Sequence, residues 1–171
     1  MHKFKTSVIA FAVLAVLVGF SMLAGALIVP SSPTAAAEKG PRQFYLTNTS
    51  HNGAQALTAC ATGYHMASVW EILDPSNLRY NRELGYTQAD SGFGPPTGRG
   101  STYGWIRTGA PAALSGDSDA GQSNCNAWTV GTFTGLGSFA YFNDNWNNGG
   151  AQLFTGGADC DSALKVWCIQ D

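Results

Sequence analysis

A chain of 171 residues is sized for one domain. Its formal net charge is −2, the only lysine after Lys39 is Lys165, and Arg79, Arg82, Arg99 and Arg107 are scattered; nucleic acid and a polybasic membrane contact are therefore not expected partners. The 21 glycines and 5 tryptophans are the signature of ordered glycine-rich loops, whose backbone costs about 1–2 kcal/mol per residue to fix.

His2, Lys3 and Lys5 precede an apolar stretch from Val8 to Val29 that is broken only by Gly19, Ser21 and Gly25. A basic start followed by such a run reads as a signal sequence. The segment "PSSPTAAA", Pro30 to Ala37, supplies small residues, with Ala35 and Ala37 at the −3 and −1 positions of a cut. Residues 1–37 are thus expected to be signal peptide and linker, and 38–171 the domain. The apolar stretch is also longer than the ~7–15 residues of an ordinary signal core and within the ~17–25 that span a bilayer, so a retained membrane anchor is the alternative. Both readings place the domain outside the cytoplasm: secreted, at the cell surface, or periplasmic if the envelope has two membranes. Loss of Lys3 and Lys5 would move the net charge from −2 to −4.

Cys60, Cys125, Cys160 and Cys168 all lie in the exported part. An even set in an oxidising compartment reads as two disulfides, with three pairings open. Each bridge offsets part of the loop-ordering cost, typically by about 2–4 kcal/mol.

Along the domain, "RQFYLT" at Arg42 to Thr47 predicts an N-terminal strand. Asn52, with Gln55 three residues on, predicts a capped short helix carrying Cys60 toward the interior and ended by Gly63. Ser68 and Glu71 repeat the capping pattern before a helical turn from Val69. Asp74 then caps a second turn with Pro75 at its first position, running toward Leu84. Gly85 to Gly104 is a long loop, of a length usually functional or mobile. Trp105 to Gly109 and Cys125 to Phe133 read as strands. "GLGSFAYF", the Asn-rich stretch 143–150 and a turn at Gly156 to Asp161 follow. "ALKVWCIQD" closes the chain as a strand with one apolar and one mixed face, tying the end into the sheet centre.

A cysteine on the first helix, "GWIRTG", a "CNAWT" strand, a penultimate cysteine and the terminal "VWCIQD" together resemble the C-type-lectin-like fold, closest to its endostatin-type and bacterial domains of unknown function. The resemblance covers about residues 42–171. It implies an α+β architecture of short helices on a small twisted antiparallel sheet with long loops, and the pairings Cys60–Cys168 and Cys125–Cys160. Sugar-binding members use a Glu-Pro-Asn or Gln-Pro-Asp loop with a Trp-Asn-Asp strand to hold calcium. Here neither loop tripeptide occurs, and Trp146-Asn147-Asn148 puts an amide where the carboxylate stands. A hard cation wants charged oxygens, so binding without calcium is expected, and no cofactor.

Asp144, Asn145, Trp146, Asn147 and Asn148, with Asp159 near Cys160, offer amides and carboxylates around an indole that could hold a sugar; the plain alternative is a set of Asn-stabilised turns. Asp117 and Asp119 imitate the start of a calcium loop but lack its distal glutamate. His51 and His65 are the domain's only histidines, and His65 reads as a packed polar tip. Ser68 and Ser101 lack a nucleophile motif. Glu71 and Asp74 have a simple use as helix caps. Tyr86, Phe93, Tyr103, Trp105 and Trp128 serve either as contact anchors or as core.

The expected function is an exported, non-catalytic recognition or adhesion module for an extracellular protein or glycan. The alternatives are a self-assembling structural subunit of the cell surface and, as the enzyme reading, a hydrolase built on converging His65, Asp144 and Asp159.

Overall fold

The structure, a computed structural model, describes residues 40–111, 123–145 and 152–171. The signal-peptide and anchor readings, Asp117, Asp119, Trp146, Asn147 and Asn148 fall outside them.

Among the described residues seven strands form one sheet: β1 (Arg42–Leu46), β2 (Tyr64–Met66), β3 (Leu78–Tyr80), β4 (Gly104–Trp105), β5 (Leu136–Phe142), β6 (Leu153–Asp159) and β7 (Lys165–Gln170). Their order is β3-β1-β7-β4-β5-β6, with β2 also paired to β7. The expected antiparallel sheet is instead mixed, because β1 pairs with β3 and β4 with β7 in parallel. In both cases intervening structure brings the chain back in the same direction, as a parallel neighbour requires.

The terminal strand sits at the centre as expected, between β1 and the β2/β4 side. Its two-faced pattern does not hold: Val166, Trp167, Cys168 and Ile169 are all buried, because both faces are covered. Trp167 fits since Gly104 has no side chain; a Cβ there would lie 2.7 Å from the indole. Its indole N–H donates to the Ala140 carbonyl at 2.9 Å, and that of Trp105 to the His51 carbonyl at 2.7 Å. Two large aromatic groups are thereby buried with no orphaned donor.

Both capping boxes form, at Asn52/Gln55 before a 3₁₀ helix (Gly53–Thr58) and at Ser68/Glu71 before α1 (Val69–Ile72). Cys60 lies just beyond the 3₁₀ helix, and Gly63, at φ +82°, turns the chain into β2. Asp74 caps with Pro75 behind it, but that turn ends at Asn77, because Leu78–Tyr80 is drawn into β3 beside β1. Of the expected strand at 105–109 only Gly104–Trp105 is regular, with a bridge at Arg107 to Ser68.

Cys125–Trp128 is not a strand. All four residues have φ between +49° and +62°, with the Trp128 N–H bonded to the Asn124 carbonyl at 2.7 Å, which is a turn of left-handed helix. Such a conformation costs roughly 1–2 kcal/mol per non-glycine residue. It is held from three sides: the Cys125–Cys160 disulfide, the Asn124 side chain accepting from the Ala127 N–H at 3.0 Å, and Trp128 packed edge-on to Trp105. The second bridge, Cys60–Cys168, joins the segment just after the 3₁₀ helix to β7.

Candidate functional site

The long loop after β3 is an ordered structure. The Asn81 side chain accepts from the Glu83 and Leu84 N–H groups, both at 3.0 Å, turning the chain. Tyr86 donates its N–H to the Leu46 carbonyl, and the Tyr80 hydroxyl donates to the Tyr86 carbonyl at 2.6 Å. Burial pushes the Tyr80 phenol up to about 12, so it remains a neutral donor. Further on, the Gln88 side chain accepts from the Thr97 N–H at 3.1 Å, closing the loop across its own base. The Gly98 N–H then bonds to the Phe142 carbonyl at 2.9 Å, fastening the loop to the far end of β5.

Between this loop and the β5–β6 end lies a groove of about 520 Å³. Phe44, Leu78, Tyr80 and Phe142 give it apolar walls, while Arg79, Gln88, Asp90, Asn143 and Gln152 supply polar groups. That combination of preformed apolar surface and few orienting polar groups, at this size, is what a small-ligand or side-chain pocket requires. Phe93 stands at its rim, 82% exposed, with the Arg82 guanidinium 5.2 Å from the ring centroid.

Of the sequence-predicted ligand residues, Asp144 and Asn145 follow directly on Phe142 and Asn143. Asp144 approaches Gly98 so closely that a Cβ on that glycine would lie 3.2 Å from its carboxylate oxygen. The Asn143 side chain donates to the Asn145 carbonyl and accepts from the Asn145 N–H, both at 3.1 Å, the turn reading of these asparagines. Asp159 is not brought to the groove. It pairs with Leu136 at the opposite end of the hairpin from the Phe142–Leu153 pair, about 20 Å along the strand.

The aromatic residues divide. Trp105 and Trp128 belong to the core, Tyr103 stacks on Phe139 at 4.4 Å, Tyr86 lies under the Lys165 ammonium at 4.4 Å, and Phe93 alone of the five projects into solvent.

A second polar cluster joins the chain's ends. His65 Nδ1 meets Asp171 at 2.7 Å and Nε2 meets Glu71 at 3.1 Å, while the Ser68 hydroxyl and N–H both donate to Glu71 at 2.9 Å. Arg42 reaches Glu71 at 3.3 Å and also bonds the Gln170 carbonyl. Burial pushes the Glu71 carboxyl up, but the bonds from Ser68 and His65 outweigh it and hold it below its ordinary range. Both imidazole nitrogens face carboxylates, and the Ser68 hydroxyl donates to the Glu71 carboxylate rather than to His65. Asp74 is spent on the Ser76 N–H at 3.0 Å. His65, Asp144 and Asp159 sit on three separate elements, and among the described residues no group of three His, Cys, Asp or Glu is arranged to hold a metal ion.

Phe93, singled out in the sequence, lines the groove, whereas Asp144 and Asn145 follow its wall residue Asn143 without lining it, and the other walls were not foreseen. Phe44, Tyr80 and Phe142 carry no signal beyond hydrophobicity, and the sheet order alone makes them neighbours of the loop.

The described residues thus form a small α+β domain with short helices, a mixed sheet, two disulfides and a loop-walled groove. No family model, no curated protein and no solved structure matches the chain.

Proposed function

We propose that this chain is an exported, non-catalytic recognition or adhesion module of C-type-lectin-like architecture, taking a protein or glycan ligand in the loop-walled groove without calcium. The carrying observation is the preformed groove itself: a loop rich in glycine and proline, fastened at Tyr86 and Gly98, presents the exposed ring of Phe93 beside amides and one carboxylate. An aromatic ring on a braced loop contributes contact area at low ordering cost. The pairing of the first and last strands and the two bridges at the expected cysteines support the architectural part of the reading.

The test is a screen of the full chain against glycans and surface proteins, with and without a chelator. Binding that is insensitive to chelator and lost in Phe93→Ala is the expected result. A blank against both panels, or binding that requires calcium, would overturn it.

A further inference from the structure

Among the described residues the sheet ends at β6, and that edge has the properties of a self-pairing strand. The Asn143 N–H bonds to the Gln152 carbonyl at 2.8 Å and the Cys160 N–H to the Gly135 carbonyl at 2.7 Å. Strand alternation therefore turns the backbone groups of Phe154, Gly156 and Ala158 toward β5 and those of Leu153, Thr155, Gly157 and Asp159 away from it. On that outer side the described residues give β6 one bond, from the Ser162 N–H to the Asp159 carbonyl at 2.9 Å in the turn that follows the strand, and no described strand pairs with Leu153, Thr155 or Gly157 there.

Edge strands are commonly blunted by lysine, proline or a bulge. "LFTGGAD" has none of the three: its register with β5 is unbroken over seven residues, and its one charge is Asp159 at the end.

We propose that β6 pairs with β6 of a second copy of this chain, antiparallel across a two-fold axis at Gly156, extending the sheet through both molecules. The register follows from the hydrogen bonds. With the axis at Gly156, Leu153 faces Asp159 of the second copy and Thr155 faces its Gly157, so all four outward residues meet outward residues. Any other two-fold register leaves at least one of them beyond the partner's strand. The side chains agree. Gly156 meets Gly156 at a closely spaced pair, where Cα atoms are about 4.5 Å apart and side chains crowd most. Phe154 lies opposite Ala158 of the second copy, large against small. The charges agree as well, since each Asp159 faces a leucine; moving the axis toward Asp159 would bring the two carboxylates together. The groove takes in Gln152 at the Phe142–Leu153 end of the hairpin, whereas the proposed contact is centred on Gly156, and its argument uses no groove residue.

Light scattering and hydrogen exchange of the full purified chain, across a wide concentration range, test it. Mass should rise from one chain to two, and the amides of Leu153, Thr155, Gly157 and Asp159 should gain protection while those of Phe154, Gly156 and Ala158 keep theirs. Gly157→Lys places a charge on the edge and should abolish both changes. Thr155→Pro, which deletes an outward N–H and no bond to β5, serves the same purpose should the lysine variant fail to fold. A mass of one chain throughout, or association that leaves the four outward amides unprotected, overturns the proposal.

Discussion

At the scale of single residues, Glu71 carries the clearest consequence. Its carboxylate accepts from Ser68, faces His65 and Arg42, and titrates below its ordinary value of 4.5. A group with a depressed folded value contributes stability that is complete above the unfolded value and lost as pH falls through the folded one. Denaturant midpoints of the chain should therefore fall as pH drops below about 4.5, and Glu71→Gln should be less stable at neutral pH with a shallower acid limb. An acid limb of equal steepness in both proteins would contradict that. Phe93 is the counter-case: with 82% of it exposed, Phe93→Ala should change stability by no more than about 0.5 kcal/mol while removing the contact proposed for a ligand. The capping role of Glu71 was legible in "SVWE", since the serine and glutamate spacing is local. Its contact with His65 and Arg42 was not, because those residues come from two other strands.

At the scale of elements, the left-handed turn Cys125–Trp128 departs furthest from what its sequence suggests. "CNAW" holds no glycine, and its aromatic and cysteine content reads as strand. Tertiary constraint wins: the Cys125 sulfur fits against Gly137 and Gly53, where a side chain would collide with it, and the buried indole of Trp128 needs the place beside Trp105. Ala127 is exposed at φ +54°, so its Cβ contributes strain and little packing. Ala127→Gly should raise stability by about 0.5–1 kcal/mol, the relief of left-handed strain exceeding the added unfolded-state entropy. Chemical denaturation measures it, and a less stable variant would show that the turn is not strained. The paired elements were easier to read. β1 announces itself by its aromatic pair and β7 by β-branched and aromatic content, whereas β2 and β3, three residues each, exist only because β7 and β1 offer them partners.

At the scale of the whole molecule, the two disulfides close loops of very different length, 108 and 35 residues. The chain-entropy relation assigns about 5 kcal/mol to Cys60–Cys168 and about 4 kcal/mol to Cys125–Cys160. Replacing both partners of either bridge by serine should lower the unfolding free energy by amounts of that order, with the longer loop costing more. Thermal melts of the two double variants against the native chain supply the check, and a chain that keeps its full stability without either bridge would show that the sheet alone suffices.

Local chemistry determined a good deal before any fold existed. Both capping boxes, the first and last strands and the long loop before Gly104 follow from residues within a few places of one another, where spacing and side-chain type act directly; the turn expected at Gly156 to Asp161 is instead mostly strand, because β5 offers Gly156 to Asp159 a partner. What required the folded molecule was everything set by neighbours distant in the chain: the parallel pairings of β1 with β3 and β4 with β7, the burial of β7 on both faces, the left-handed turn, and the meeting of the 81–98 loop with Phe142. These depend on which strands lie side by side, a choice made by the competition among long-range packings and recorded in no short stretch of sequence.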